Sequence, residues 1–330
     1  MSSETESFEL LPWQHGLWQR LQARRAAGSL PHALLLSGPV GVGKEQFARR
    51  LAASLVCESQ DEQPCGRCKA CGLAAAHTHP DIHWLQPEEP GKAIKIDAVR
   101  ELIARTTLTT QAAGSRVFLI SPAEAMNKPS ANALLKTLEE PSASSTLVLI
   151  SSAPHRLPAT IRSRCQSLLF KPVPQTEAEQ WLQGRAGDPA LLALTGGAPL
   201  LALQADQQAW LPAVQQLLEE MSELKSRKVN PMQVVEAWAQ RPLEQMFDHL
   251  ARVISDLVQT LSGAPDTRLF LPAEQQRLQS LAKNINLQAL FRFYDGFNTL
   301  RSQMNHNLNA QMLFEKLVSD WLALTRAGAR

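Results

Sequence analysis

The stretch 34–50, LLLSGPVGVGKEQFARR, decides the fold because it joins an apolar strand to a helix through a glycine-rich loop. Residues 38–44 match the pattern G-x-x-x-x-G-K. In such a loop, backbone N–H groups cradle phosphates and the lysine reaches the terminal phosphates. The sequence therefore predicts a phosphate-binding loop (P-loop) that depends on Gly38, Gly41, Gly43 and Lys44.

The residue after this lysine is Glu45, where a nucleotide hydrolase has a hydroxyl that binds magnesium. A carboxylate there repels the phosphates of ATP. Hydrolysis also needs an acidic pair at the end of a later strand. The candidate strand, RVFLI, ends in Ser121-Pro122, and Glu124 lies two residues too late. Self-contained hydrolysis is therefore not expected, although the retained P-loop lysine leaves room for residual nucleotide binding.

The first half of the chain alternates short apolar runs with helical stretches. The runs are 32–38, 81–85, 116–121, 146–152 and 167–170, and the helical stretches are 44–57, 97–107 and 130–140. Asp97 and Ser130 are the predicted N-caps of the last two helices. Strand–helix alternation with nearly continuous apolar strands indicates a parallel sheet covered on both faces.

The second half contains no strand signal after about residue 210, and its apolar residues recur at helical spacing. The segment FKPVPQ, 170–175, has two prolines and predicts a hinge. We therefore predict an α/β domain over 1–170, a small helical domain over 171–208 and a helical bundle over 209–330.

Four cysteines crowd into fifteen residues with the spacing C-x7-C-x2-C-x2-C: Cys57, Cys65, Cys68 and Cys71. Four thiolates complete a closed tetrahedral shell around zinc, which leaves no position for water and makes the metal structural. We predict a zinc module inserted in the α/β domain at 57–80. Free buried thiols, or a ligand exchanged for one of the nearby histidines His77, His79 and His83, are the weaker interpretations.

Composition limits the function classes only loosely. The formal net charge is +2, from 33 basic and 31 acidic side chains, which argues against binding nucleic acid by bulk charge alone. No run of 18 apolar residues occurs, and the first residues, MSSETESFELLPWQHG, lack a signal pattern. We expect a cytoplasmic chain with no membrane partner.

Two further stretches carry a family resemblance: ANALLKTLEEP at 131–141 and LPATIRSRCQ at 157–166. Together with the P-loop, the inserted cysteines and the helical C-terminal half, they resemble bacterial clamp-loader subunits of the AAA+ superfamily. The resemblance implies an AAA+ nucleotide-binding fold, followed by a lid (171–208) and an oligomerising collar (209–330). It covers essentially the whole chain and is most specific over 116–166.

Within that family, the gamma/tau motor subunits keep a complete ATP site, and a related subunit type carries a decayed one. Glu45, Ser121 and Pro122 place this chain with the second type. Motor subunits also carry a sensor arginine shortly after the turn that is Gly196-Gly197 here. This chain has Ala198-Pro199-Leu200 instead.

The resemblance also assigns a role to Ser163-Arg164-Cys165, the motif whose arginine reaches a neighbouring subunit's ATP site. Spacing alone leaves Arg162 and Arg164 equal, and only the resemblance selects Arg164. A guanidinium suits phosphate oxygens and stabilises charge that develops in the transition state. Cys165, the fifth cysteine, is interpreted as a small buried residue.

The resemblance implies as partners the gamma/tau and delta subunits, and through the complex the sliding clamp and primer-template DNA. Two rival functions stay open at this point. One is an active gamma/tau-like motor ATPase. The other is a zinc-bearing nucleic-acid-binding protein. The cysteine cluster and the basic stretch RLQARR at 20–25 favour it weakly, although such a helix face is more often solvated, and the collar-like helices disfavour it.

Overall fold

The computed structural model describes residues 8–59, 64–89, 91–106, 115–142, 144–185, 187–263, 265, 269–303 and 309–327. The chain forms two compact units, Met1–Glu177 and Ala178–Arg330. Residues 60–63 of the predicted zinc module and the last residue of the predicted 97–107 helix lie outside the described residues. The predicted division into three domains stays a prediction.

The first unit is built on a five-stranded parallel sheet in the order β2-β3-β4-β1-β5. Its strands are β1 (Ala33–Ser37), β2 (Ile82–Leu85), β3 (Arg116–Ile120), β4 (Ser145–Ser151) and β5 (Gln166–Leu169). Every residue of β1 and β3 is buried, so both faces of the central sheet are covered, as the apolar runs predict. All five predicted strands are present.

The helices of this unit are α1 (His15–Ala26), α2 (Lys44–Val56), α3 (Lys69–Ala75), α4 (Ile96–Thr106), α5 (Lys128–Glu139) and α6 (Ala159–Arg162). Helix α2 packs against β1, β3 and β4. Residues of α4, α5 and α6 share one apolar core with side chains of β1, β3 and β4. The predicted helices therefore supply the cover of the sheet.

Both predicted N-caps are wrong. Helix α4 begins at Ile96, so Asp97 lies in its first turn. The cap of α5 is Asn127, whose side chain accepts a hydrogen bond from the backbone N–H of Ser130. Because Pro129 fits the first helical turn, the helix starts two residues before the predicted position. The Ser130 hydroxyl instead donates to the carbonyl of Ile94, 2.7 Å away.

The described part of the second unit is helical. Its elements are α7 (Gln175–Gln183, which crosses the boundary between the units), α8 (Leu191–Leu194), α9 (Pro199–Gln207), α10 (Trp210–Ser226), α11 (Pro231–Ala239), α12 (Leu243–Leu261), α13 (Gln275–Ala282), α14 (Leu287–Gln303) and α15 (Ala310–Ala327). Trp181, Trp210, Trp238 and Trp321 are buried in its core. The predicted parallel α/β fold with a P-loop, followed by a helical second half, is confirmed. Among the described residues, no helix combines the length and apolarity needed to cross a bilayer.

Candidate functional site

The P-loop lies between the end of β1 and the start of α2, where a parallel sheet presents the carboxyl ends of its strands. Gly43 precedes the helix with φ at 85°, in the left-handed region that favours glycine. A Cβ on Gly38 would lie 2.2 Å from the carbonyl oxygen of Phe170. Glycine is therefore required at position 43 by the backbone conformation and at position 38 by the close approach of the Phe170 carbonyl.

The Lys44 side chain is folded back onto the loop. Its ammonium donates to three oxygens at 2.6–3.0 Å: the carbonyls of Gly38 and Pro39 and the hydroxyl of Ser152. An ammonium has three N–H groups, so all of them have acceptors within this chain. A nucleotide phosphate would have to displace these oxygens to reach Lys44.

The two residues that depart from a hydrolase contact each other. The Ser121 hydroxyl, just after β3, donates to Glu45 Oε1 at 2.6 Å. Glu124 Oε1 accepts the backbone N–H groups of Ser152 and Ala153, at 2.9 and 3.0 Å, just after β4. These carboxylates therefore bind groups of the chain at the strand ends.

Burial lowers the pKa of Lys44 to about 8, while the charges of Glu124 and Glu45 act in the opposite direction. The unfolded chain holds this proton up to the ordinary lysine pKa of 10.5. Between these values the unfolded state binds more protons, so the free energy of unfolding rises with pH. We expect this rise in the wild type and not in Lys44→Met. Denaturant midpoints at pH of about 7.5 and 9.5 measure it.

The exposed Lys171 supplies the matched control, because Lys171→Met removes a lysine that is not buried. This control should keep the wild-type rise. An equal pH response in the wild type and Lys44→Met would contradict the assignment of the shifted proton to Lys44.

Sequence reasoning missed a contact between the N-terminal segment and the P-loop. The Trp13 indole N–H donates to the carbonyl of Val42 at 2.9 Å. The buried Gln14 amide donates to Val42 and to Gly43 at 3.1 and 2.9 Å. Side chains of the N-terminal segment therefore supply hydrogen bonds to two carbonyls of the P-loop. The motif spacing carries no signal for them, because the partners lie 28 or 29 residues away in the sequence.

Arg164 lies after the short helix α6 and is about one third exposed. One terminal nitrogen donates to the carbonyl of Thr160 at 2.9 Å, and the other forms an ion pair with Glu139 at 2.6 Å. A guanidinium has five N–H donors. These contacts therefore orient the group without using all of its donors. Arg162 is exposed, and Cys165 is buried, as predicted, with burial raising the pKa of its thiol to about 11.

The four cysteines of the predicted zinc module come together. All four sulfurs lie within 4.8 Å of one another; the Sγ distances are 4.0 Å for Cys57–Cys68 and 3.9 Å for Cys65–Cys71. Zn–S bonds of about 2.3 Å in a tetrahedron place the sulfurs about 3.8 Å apart. The donor set and its spacing therefore fit a closed zinc shell.

Local structure explains how the cysteines converge. Cys57 ends α2 and Cys68 caps α3, where its sulfur accepts the backbone N–H of Cys71 at 3.3 Å. Gly66, between the second and third cysteines, has φ at 69°. Backbone N–H groups that donate to sulfur favour the thiolate that a metal needs.

The nearby histidines are not part of this cluster. His77 Nε2 lies 2.7 Å from the Arg49 guanidinium, and His79 Nδ1 accepts the backbone N–H of Asp81 at 3.1 Å. The His83 ring stacks on Phe118, with centroids 5.1 Å apart. The four-cysteine arrangement is thus the one that the geometry favours.

Comparison with known proteins identifies the family. The family described as "DNA polymerase III, delta subunit" matches residues 13–174, and its C-terminal counterpart matches 208–322. The DNA polymerase III subunit delta' of Pseudomonas aeruginosa is 36% identical over 97% of this chain and 99% of its own length. The tau subunit of Bacillus subtilis is 32% identical over 50% of this chain and 29% of its own length. A gamma subunit-related protein from Thermotoga maritima aligns over 94% of this chain and 99% of its own, with 17% identity and a TM-score of 0.45. The chain belongs to the delta-prime subunit family of DNA polymerase III.

Proposed function

We propose that the chain is the delta-prime subunit of a bacterial clamp loader, which assembles with gamma/tau and delta subunits. In this role it helps to place the sliding clamp on primed DNA during replication. The observation that carries the proposal is the 36% identity to a delta-prime subunit along nearly the whole of both chains. The likeness to a tau subunit over half of the chain supports membership of the same assembly.

We also propose that the chain does not hydrolyse ATP by itself. Lys44 is bound by its own loop, and Glu45 is bound to Ser121. The residue after Lys44 therefore has no hydroxyl to bind magnesium, and the end of β3 has no acidic pair to orient the attacking water. The P-loop serves in this proposal as retained architecture, and ATP binding by this chain is weak.

The catalytic contribution that we propose acts on a neighbour. Arg164, held by Thr160 and Glu139, places its remaining N–H donors against the γ-phosphate bound by an adjacent gamma/tau subunit. These donors stabilise the charge that develops on the phosphate oxygens in the transition state. Ser163 and Cys165 position the arginine, because one follows α6 directly and the other is anchored in the core.

The zinc module has a structural role in this proposal. Cys57, Cys65, Cys68 and Cys71 would hold the ion, and a closed shell of four sulfurs supplies rigidity without an open position for chemistry. Phe8, Ala53 and Ala74 pack against these cysteines, so the module joins the apolar core beside α2. The three-part organisation, with a lid over 171–208 and a collar over 209–330, completes the proposed architecture.

A binding and turnover experiment on the purified chain tests the proposal. We expect no ATP turnover above background for the isolated chain, and a stable complex on gel filtration when gamma/tau and delta subunits are added. Turnover that disappears in Lys44→Ala would support the motor ATPase instead. DNA binding by the isolated chain without any complex formation would support the zinc-bearing nucleic-acid-binding protein.

A further inference from the structure

A cavity of about 210 Å³ lies in the first unit beside the cysteine cluster, between α2, the end of α3 and β2. We call it the donor cavity. None of its lining residues belongs to the P-loop contacts, the Arg164 motif or the cysteine ligands. Its lining consists of Arg49, Ala52, Ala74, His77, His79, Ile82, Trp84 and Leu119.

The polar side chains of the donor cavity offer hydrogen-bond donors. The Arg49 guanidinium donates to His77 Nε2 at 2.7 Å, so the proton of neutral His77 lies on Nδ1. His79 Nδ1 accepts the backbone N–H of Asp81, so neutral His79 carries its proton on Nε2. Burial lowers the pKa of His79, which keeps this ring neutral near pH 7.

Trp84 adds an aromatic wall to the cavity. Its indole Nε1 is buried and has no hydrogen-bond partner among the described residues. Because this nitrogen has almost no accessible surface, Trp84 meets the cavity through the apolar part of its ring. The Arg49 guanidinium lies over the same indole, 5.0 Å from the ring centroid, and this contact fixes both groups.

The lining carries one positive charge and no negative charge to balance it. It contains no aspartate, glutamate, serine, threonine or amide side chain. Within the described part of the chain, no carboxylate pairs with Arg49. The remaining walls are apolar, formed by Ala52, Ala74, Ile82 and Leu119. A matching occupant therefore has acceptors at one end, a single negative charge and an apolar body.

We propose that the donor cavity binds a small organic carboxylate whose body is a planar apolar ring. Two carboxylate oxygens match the fork of Arg49, and one of them accepts the Nε2–H of His79. The ring fills the apolar part of the cavity. Inorganic phosphate shares the anionic end but leaves the apolar walls without contact. This site is independent of the proposed clamp-loader role.

Titration with benzoate tests the proposal on the full-length, zinc-loaded chain. The protein has seven tryptophans, so its indole N–H resonances are few enough to follow by NMR, and Trp84→Phe assigns the one that matters. We expect benzoate to shift the Trp84 resonance saturably with a Kd of about 1 mM or lower. Benzamide, the neutral analogue of the same shape, and inorganic phosphate should bind at least about tenfold more weakly.

A pair of arginine variants provides the control. Arg49→Met keeps the aliphatic length and removes the guanidinium, and should weaken benzoate at least about tenfold. Arg156→Met removes an exposed arginine elsewhere in the unit and should leave benzoate binding unchanged. The proposal is overturned if benzoate causes no saturable shift, if benzamide or phosphate binds as well as benzoate, or if Arg49→Met keeps wild-type affinity. A nuclear Overhauser effect between the Trp84 indole proton and benzoate protons checks the site if Trp84→Phe proves unstable.

Discussion

Arg164→Ala should lower ATP turnover at the neighbouring gamma/tau site by about 10³-fold and leave the assembly intact. An arginine supplied from a neighbour stabilises charge on the transferred phosphoryl group, and its loss acts on the transition state more than on ATP binding. Arg164 is about one third exposed, and its guanidinium binds Thr160 and the half-exposed Glu139, so we expect its loss to leave assembly intact. The loss should therefore appear in kcat, with KM for ATP nearly unchanged.

Measurement needs a complex in which one ATP site reports alone. The complex should contain one intact motor subunit beside this chain, and its other motor subunits should lack their own P-loop lysine. The only ATP site that then turns over is the one that Arg164 is proposed to complete. Arg162→Ala is the matched control, because Arg162 is exposed and two residues away in the same motif. Arg164→Lys keeps the charge but loses the planar fork, so it should recover only a small part of the rate. An ATP turnover rate of Arg164→Ala within twofold of the wild-type rate would contradict the role of Arg164 at the neighbouring site.

The ion pair between Arg164 and Glu139 provides a second measurement, because it predicts the effect of Arg164→Ala on stability. Glu139 is about half exposed and binds one terminal nitrogen of the Arg164 guanidinium at 2.6 Å. If Arg164 does not act on a neighbour, this contact is an ordinary surface pair, worth less than about 1 kcal/mol. In that case, Arg164→Ala would leave the ATP turnover of the complex unchanged. It would lower the stability of the isolated chain by less than that amount. The two measurements together separate the catalytic role from a structural one.

Cys68→Ser should remove zinc from the chain and destabilise the first unit by several kcal/mol, on the order of 4. The reason is that three sulfurs leave the tetrahedral shell open. Cys68 also caps α3 by accepting the N–H of Cys71, and a serine oxygen keeps this cap but is a poor zinc ligand. Metal analysis should find about one zinc per wild-type chain and much less in the variant.

Cys165→Ser is the control for cysteine chemistry in general. Cys165 is buried in the core that α5 and α6 share with the sheet and is not part of the cysteine cluster, so the variant should lose some stability and keep its zinc. A strong chelator should lower the unfolding midpoint of the wild type and of Cys165→Ser, and change that of Cys68→Ser little. Unchanged metal content in Cys68→Ser would remove Cys68 from the ligand set.

Local pattern predicted the parts of the molecule that depend on neighbours in the sequence. The five strands, the P-loop glycines and the convergence of four cysteines all follow from apolar periodicity or fixed spacing. The caps of α4 and α5 failed because several polar residues compete within a few positions. Asn127 accepts the N–H of Ser130, and the sequence alone does not rank the two as caps.

The contacts that decide the chemistry of the P-loop could not be predicted in this way. Ser152 lies 108 residues from Lys44, and Ser121 lies 76 residues from Glu45. The parallel sheet brings these pairs together at the ends of β3 and β4, and only the strand order determines which ends meet. Sequence reasoning identified Ser121 as a missing acid but could not show that it binds Glu45.

The internal acceptors of Lys44 also bear on how the subunit responds to the energy state of the cell. In a P-loop that needs phosphate to satisfy its lysine, the loop changes with the ratio of ATP to ADP. Here the lysine is satisfied by Gly38, Pro39 and Ser152, so we expect the loop to keep the same conformation at high and at low ratios of ATP to ADP. In the proposed assembly, whose motor subunits change state in every cycle, such a subunit acts as the fixed reference against which the others move.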